Sequence, residues 1–161
     1  MIAPNITELN VSITNISEIK LSRYPNLQSL YIDGCSMKKI SELEYLHKLE
    51  ILMANSCGLI SLYNLSSPLL RDASVDNNCL ESFPFERCPR LNDFSACNNR
   101  LKSIDSINRC SDLERVSLKN NNIRDLRLLY NLQELSMLYI EDNIIERQDS
   151  QTKNMLIALV D

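Results

Sequence analysis

Six cysteines and one histidine are the residues of this chain best suited to redox, metal or nucleophilic chemistry. His47 stands beside Leu46, and no CxxC, HExxH or paired Cys/His spacing supplies further metal ligands. With only Gly34 and Gly58 in the chain, a glycine-rich phosphate loop is absent, and no GxSxG nucleophile motif occurs. The sequence therefore predicts no catalytic residue, no metal site and no cofactor, and we expect a protein that is not an enzyme.

The even number of cysteines raises the alternative of disulfide bonds. Four of them fall at interior positions of the repeating pattern described below, where a thiol serves as a small apolar group. These are Cys35, Cys57, Cys88 and Cys110. Cys79 and Cys97 fall at exposed positions and are expected to react faster. Free thiols are typical of a reducing compartment, so we expect a cytoplasmic protein, with the nucleus as the alternative intracellular location.

A repeat of 21 or 22 residues positions these side chains. In residues 113–134, LERVSLKNNNIRDLRLLYNLQE, apolar residues alternate across a short strand and recur on the returning segment. The repeat begins at Ile6, Leu27, Leu49, Leu70, Leu91, Leu113 and Leu135. The fourth, sixth and eleventh positions are apolar throughout. The ninth position holds Thr14, Cys35, Cys57, Asn78, Asn99, Asn121 and Asn143, and we expect its asparagines to be buried and hydrogen-bonded to backbone.

The pattern LxxLxLxxNxL resembles that of leucine-rich repeat proteins over nearly the whole chain. Its short spacing resembles the intracellular class typified by the regulatory subunit of protein phosphatase 1. The resemblance implies an α/β fold, a right-handed solenoid of seven repeats. Parallel strands would line its concave face, and short helices, 3₁₀ turns and irregular segments its convex face. We expect one domain over residues 1–161, with a short helical cap at 146–161 in which Met155, Leu156 and Leu159 share one face.

Charge and hydropathy limit the partners of this chain. A net charge of −4 disfavours nucleic acid, and no apolar run approaches the roughly 20 residues that span a bilayer, so no membrane association is expected. Four Asn-X-Ser/Thr triplets, at Asn5, Asn10, Asn15 and Asn64, keep a secreted or host-directed recognition module as the alternative. Asn and Ser are frequent in repeat turns, so composition alone accounts for such triplets, and we favour the intracellular interpretation.

Outward-facing strand positions form the surface that could bind a partner. Tyr31, Ile51 and Met53 are expected to form an apolar patch, and Asp72, Asp76 and Asp93 an acidic centre. Met137 and Tyr139 are expected to form a second apolar zone, beside Arg115 and Lys119. Apolar and aromatic residues beside charge are the usual composition of a protein-binding surface. We therefore expect a monomeric scaffold that binds a basic, or mixed apolar and basic, protein on its concave face.

Overall fold

Seven three-residue strands form one parallel sheet in a computed structural model that describes residues 2–62, 65–85 and 87–145. The strands are β1 (Glu8–Asn10), β2 (Ser29–Tyr31), β3 (Ile51–Met53), β4 (Asp72–Ser74), β5 (Asp93–Ser95), β6 (Arg115–Ser117) and β7 (Met137–Tyr139). They lie side by side in chain order, and each occupies the third to fifth positions of a repeat. The cap expected at 146–161 lies outside the described residues.

The register of the sheet aligns equivalent positions of neighbouring repeats. Leu30 pairs with Leu52, and Phe94 pairs with Val116. From β2 to β6 the middle residue of each strand is buried and its two neighbours are half-buried. The core is a continuous column from Leu21 to Leu132, because each repeat packs its apolar face against the repeats before and after it.

The asparagines of the ninth position form a buried hydrogen-bonded row, which we call the asparagine ladder: Asn78, Asn99, Asn121 and, partly buried, Asn143. Asn121 is typical. Its Nδ2 donates to the Ala96 and Leu118 carbonyls at 2.8 and 3.1 Å, and its Oδ1 accepts from the Leu101 N–H at 2.9 Å. The prediction that Asn99 and Asn121 are buried and bonded to backbone is confirmed.

Cysteines occupy the same position in the second and third repeats. The thiol of Cys35 donates to the Val11 carbonyl at 3.1 Å, and that of Cys57 donates to the Ile32 carbonyl at 3.0 Å. Val11 and Ile32 each stand at the sixth position of the preceding repeat. Ala96, which accepts from Asn121, stands at the same position of its own repeat. A thiol thus reproduces a donated bond of the amide. A thiol has one polar atom where the amide has two, so it cannot donate to a carbonyl and accept backbone N–H groups through separate atoms as Asn121 does.

The backbone leaves each strand through a left-handed residue at the eighth position. Its φ lies between 54° and 69° in all seven repeats, at Ile13, Gly34, Ser56, Asn77, Asn98, Asn120 and Asp142. Glycine, asparagine and aspartate tolerate this conformation, whereas a β-branched residue is strained in it. Ile13 is the β-branched exception, and its side chain is 88% exposed. The sequence expectations did not include this bend.

Every helical segment in the described residues is a 3₁₀ helix: Leu21–Arg23, Leu43–Tyr45, Ile107–Arg109 and Arg127–Asn131. The apolar residues of the returning segments explain this choice, since they recur every third residue, as at Leu43, Leu46 and Leu49. A period of three places side chains on one face of a 3₁₀ helix, not of an α-helix. The described parts of the proline-containing returns, around Pro68, Pro84 and Pro89, have no helix, as expected.

None of the helices in the described residues is long and apolar enough to cross a membrane.

Candidate functional site

The nine candidate binding residues lie on one face of the sheet, which is the concave face of a solenoid of this type. Eight of them occupy the outer positions of the three-residue strands, and Asp76 lies two residues beyond β4. Met137 and Tyr139 are 46% and 45% exposed, and the other seven are half-buried. The structure therefore places all nine where the sequence predicted, although their role in binding stays a prediction.

The first apolar patch is continuous across two strands. Tyr31 and Met53 are direct neighbours in the register of β2 and β3, and Ile51 lies two residues before Met53 on the same face. Neighbouring side chains of a parallel pair stand about 5 Å apart, so the three cover one area. A rigid strand presents them without further ordering, which favours their use as contact residues.

The acidic centre is less free than the sequence suggested. Asp93 Oδ2 accepts a hydrogen bond from Arg115 Nε at 2.7 Å, so Arg115 links this centre to the C-terminal apolar zone, where it is the register neighbour of Met137. Asp76 Oδ1 accepts from the Cys97 N–H at 2.6 Å and from Ser95 Oγ at 2.7 Å. Asp72 forms no hydrogen bond or ion pair with a described residue through its carboxylate. Of the three aspartates, it has the least compensated charge.

Partial burial, and then the neighbouring Asp93 charge, raise the pKa of the Asp72 carboxyl, while Arg115 and Arg71 act in the opposite direction. Asp72 and Asp93 are direct neighbours in the register of β4 and β5, where like charges repel. A cationic group placed beside Asp72 would therefore relieve an electrostatic cost already present in the free protein.

A second row of polar side chains runs along the concave face at the seventh position, and we call it the seventh-position ladder. Asp33 Oδ1 accepts the Asn55 N–H at 2.7 Å, and Asn55 Oδ1 accepts the Asp76 N–H at the same distance. Asp76 then accepts the Cys97 N–H. Sequence reasoning assigned Asp76 to partner recognition and missed this internal role. The available signal was the side-chain oxygen at the seventh position in four consecutive repeats, Ser12 to Asp76.

The C-terminal apolar zone combines an aromatic ring with a cation. Lys119 Nζ lies 4.8 Å from the centroid of the Tyr139 ring and 3.1 Å from Glu141 Oε1. Both contacts are on the surface, where water and salt screen them and each contributes little to stability. They hold the lysine over the ring, so that Tyr139 presents a partly covered face.

The thiols follow the predicted burial. All six cysteines are free, and Cys35, Cys57, Cys88 and Cys110 are buried. Cys79 and Cys97 are half-buried rather than fully exposed, and Cys97 Sγ lies 2.9 Å from Ser117 Oγ. Burial raises the pKa of Cys57 to about 11 and that of Cys110 to about 12. Among the residues that the structure describes, no group of three His, Cys, Asp or Glu side chains could hold a metal ion.

Comparison with known proteins identifies the fold through structure alone. No family model matches the sequence, and no curated protein matches it. The functional domain of InlJ from Listeria monocytogenes, which includes a cysteine ladder, superposes with a TM-score of 0.82 at 23% identity over 91% of this chain. A leucine-rich repeat protein of Leptospira interrogans superposes with a TM-score of 0.79 at 18% identity over 94% of this chain. Internalin C2 of Listeria monocytogenes superposes with a TM-score of 0.64 at 20% identity.

These likenesses show that the fold is a leucine-rich repeat solenoid. The chain spans 32% of the InlJ structure, 40% of the Leptospira protein and 77% of internalin C2. None of the solved structures named above is a phosphatase regulator, so the resemblance to the regulatory subunit of protein phosphatase 1 stays a prediction from the repeat spacing.

Proposed function

We propose that this protein is a non-catalytic scaffold that binds a protein partner on its concave face. The observation that carries the proposal is the alignment of Tyr31, Ile51 and Met53 beside a charged centre on a rigid sheet. Aromatic and methionine side chains commonly dominate binding energy in protein interfaces, whereas nearby charges mainly tune specificity and association rate.

The partner we expect carries basic as well as apolar side chains. Asp72 supports this expectation, since its charge is uncompensated by any described hydrogen bond or ion pair. Asp33 and Asp76 each use Oδ1 within the seventh-position ladder, and no described contact engages their Oδ2 atoms. Carboxylates held in this way attract cations without losing side-chain freedom on binding.

A regulatory or targeting subunit in the cytoplasm is the finer form of this proposal. The short repeat spacing supports it by its resemblance to the regulatory subunit of protein phosphatase 1. The six free thiols support the compartment, because buried cysteines without disulfide bonds are typical of reducing surroundings.

A secreted or host-directed recognition module is the second candidate. It is supported by the exposure of Asn5, Asn10 and Asn15, each of which begins an Asn-X-Ser/Thr triplet, and by the fold likeness to internalins. Intact-mass measurement after expression in a secretory eukaryotic host distinguishes the two. Glycan mass on these asparagines favours the second candidate, and an unmodified chain favours the first.

The concave face is tested by affinity capture of the partner followed by calorimetry with variants. We expect Tyr31→Ala and Tyr139→Ala each to weaken binding by about 1–3 kcal/mol, because each truncates an aromatic contact residue. Asp72→Asn with Asp76→Asn should mainly lower the association rate and its salt dependence, since asparagine keeps the Oδ1 acceptor of the ladder while removing charge.

The matched control is Lys102→Ala with Arg124→Ala, at the twelfth position, beyond the strands. Binding should be unchanged in this double variant. If it abolishes binding while the concave substitutions leave binding intact, the proposed face is wrong.

A further inference from the structure

A cleft of about 460 Å³ opens at the rim of the concave face, where β4, β5 and β6 begin. Its lining comes from three successive repeats and consists of Arg71, Asp72, Arg90, Asn92, Asp112 and Arg115. Three arginines and two aspartates give the lining a formal charge of +1, and Asp93, which pairs with Arg115, brings the local balance to zero. The cleft is therefore less negative than the chain as a whole, whose net charge is −4, and its positive charge lies chiefly on Arg71 and Arg90.

Two of its three guanidinium groups form no ion pair within the part of the chain that the structure describes. Neither Arg71 nor Arg90 forms an ion pair with a described residue, and both side chains are exposed. Arg115 donates through Nε to Asp93 Oδ2 at 2.7 Å, which orients its guanidinium group. Guanidinium groups bind carboxylates through paired N–H donors. The guanidinium groups of Arg71 and Arg90 can therefore both donate to one anion in the cleft, beside the oriented group of Arg115.

The floor of the cleft is held rigidly by backbone pairing. The Arg71 carbonyl accepts the N–H groups of Asn92 and Asp93 at 2.8 and 3.0 Å. Asn92 Nδ2 donates to the Asp112 carbonyl at 3.0 Å, so the Asn92 side chain, which also lines the cleft, is held in place. Rigid positioning lowers the ordering cost of binding.

We propose that this cleft binds a carboxylate side chain from an acidic segment of a protein partner. The proposal rests on the proposed scaffold function and assigns to the partner an acidic group beside Arg71 and Arg90, next to the basic groups expected over Asp72, Asp33 and Asp76. A carboxylate fits better than a phosphate group, because it brings a single negative charge to a lining that also holds acidic side chains. Asp72 and Asp112 would repel a second. The same two aspartates and the net charge of −4 disfavour nucleic acid.

The site can be tested without the partner, by titrating the full chain at low ionic strength with a blocked pentaglutamate peptide. Amide and arginine Nε–H shifts in NMR spectra report the site, and calorimetry reports affinity. We expect saturable binding, with shifts at Arg71, Arg90 and Asn92. Arg71→Gln with Arg90→Gln should weaken it about tenfold or more, since two charge-assisted contacts are lost.

The control variant is Arg23→Gln with Arg100→Gln, which changes net charge equally at two exposed arginines outside the cleft. Pentaglutamate affinity should stay within about twofold of the parent protein, because surface charge at a distance is largely screened. An equal loss in both double variants, or no saturable binding, overturns the proposal. Blocked pentalysine that shifts the cleft residues instead overturns its polarity, and inorganic phosphate that displaces pentaglutamate at lower concentration overturns the carboxylate assignment.

Failure of this proposal and failure of the scaffold function are separable. If only the cleft proposal fails, the parent protein does not bind pentaglutamate, while Tyr31→Ala still lowers the affinity for the captured partner. If the scaffold function fails, no substitution on the concave face changes the affinity for the partner, whether or not pentaglutamate binds to the cleft.

Discussion

At the scale of single residues, the ninth position shows how one side chain decides the number of bonds between repeats. An asparagine there both donates and accepts, as Asn121 does with Ala96 and Leu101. A cysteine supplies a donated bond and a small apolar volume, as Cys57 does with Ile32. Both residues suit a buried position, but they tie neighbouring repeats together to different extents.

Asn121→Ala should lower the free energy of unfolding by about 1–3 kcal/mol, because buried backbone donors and acceptors lose their partner. Chemical denaturation monitored by circular dichroism measures the change. Asn122→Ala is the control, since its side chain makes no hydrogen bond with a described residue. Equal midpoints for Asn121→Ala and the parent protein would refute the assigned role of the ladder.

Alkylation should divide the six thiols into two groups. Cys79 and Cys97 should react first in the native protein, and the four buried cysteines only after unfolding. Because burial raises the pKa of Cys57 to about 11, its thiolate should remain scarce at pH 8 and increase as the pH approaches that value. Mass spectrometry after pulsed alkylation gives the order. Fewer than six reactive thiols in denaturant, in a sample kept from oxidants, would contradict free cysteines.

At the scale of elements, the left-handed bend at the eighth position joins every strand to its returning segment. Asn98 Nδ2 donates to Asn77 Oδ1 at 3.0 Å, and Asn120 Nδ2 donates to Asn98 Oδ1 at 2.8 Å, so the bends of three repeats are also linked on the surface. The first repeat has Ile13 at this position, with a φ of 57°. A β-branched residue at such a φ stores strain that an exposed side chain cannot offset by burial.

Ile13→Asn should therefore raise the stability of the first repeat by about 1 kcal/mol, by relieving the left-handed strain. The measurement is the denaturation midpoint, together with exchange of the Ile13 amide, which donates to the Asp33 carbonyl at 2.7 Å. Ile6→Asn is the control, because it removes an exposed isoleucine side chain outside the bend and so lowers surface hydrophobicity without changing a left-handed residue. A lower midpoint for Ile13→Asn would show that the isoleucine side chain contributes more than its backbone strain costs.

At the scale of the whole molecule, the solenoid is stabilised by contacts between adjacent repeats, so its rigidity can vary along its length. The asparagine ladder begins at Asn78, and the seventh-position ladder extends from Ser12 to Cys97. The middle repeats have both ladders, whereas the first two have only the second. Local stability should follow this distribution.

Hydrogen exchange should be slower in the fourth and fifth repeats than in the first two. The amides of Leu80 and Leu101, which donate to ladder asparagines at 3.0 and 2.9 Å, should be among the most protected. The Met37 N–H, which stands at the position of Leu59, already donates to the Cys57 carbonyl at 3.1 Å. Cys57→Asn should extend the ladder and slow exchange at Met37 further, because the asparagine oxygen adds an acceptor like the one that Asn78 gives Leu59. Uniform protection from the second to the sixth repeat would contradict this gradient.

The sequence by itself determined the repeat, the parallel strands and the inward columns, because a period of 21 or 22 residues allows only one way to bury every apolar face. It also placed the candidate binding residues on one face, since alternation along a strand decides inward from outward. It also predicted short helices, 3₁₀ turns and irregular segments on the convex face, and the described helices are all of the 3₁₀ form that a three-residue apolar period favours.

Only the tertiary structure decided which of those surface charges are available. Asp93 and Arg115 are separated by 22 residues in the chain, and the register of β5 and β6 brings them into an ion pair. Asp76 accepts a backbone N–H from the next repeat, whereas the Asp72 carboxylate makes no such contact with a residue that the structure describes. Contacts between repeats depend on side-chain direction and on the exact register. The amino-acid pattern of one repeat does not contain either, so the charge of the binding face emerges only when the repeats are stacked.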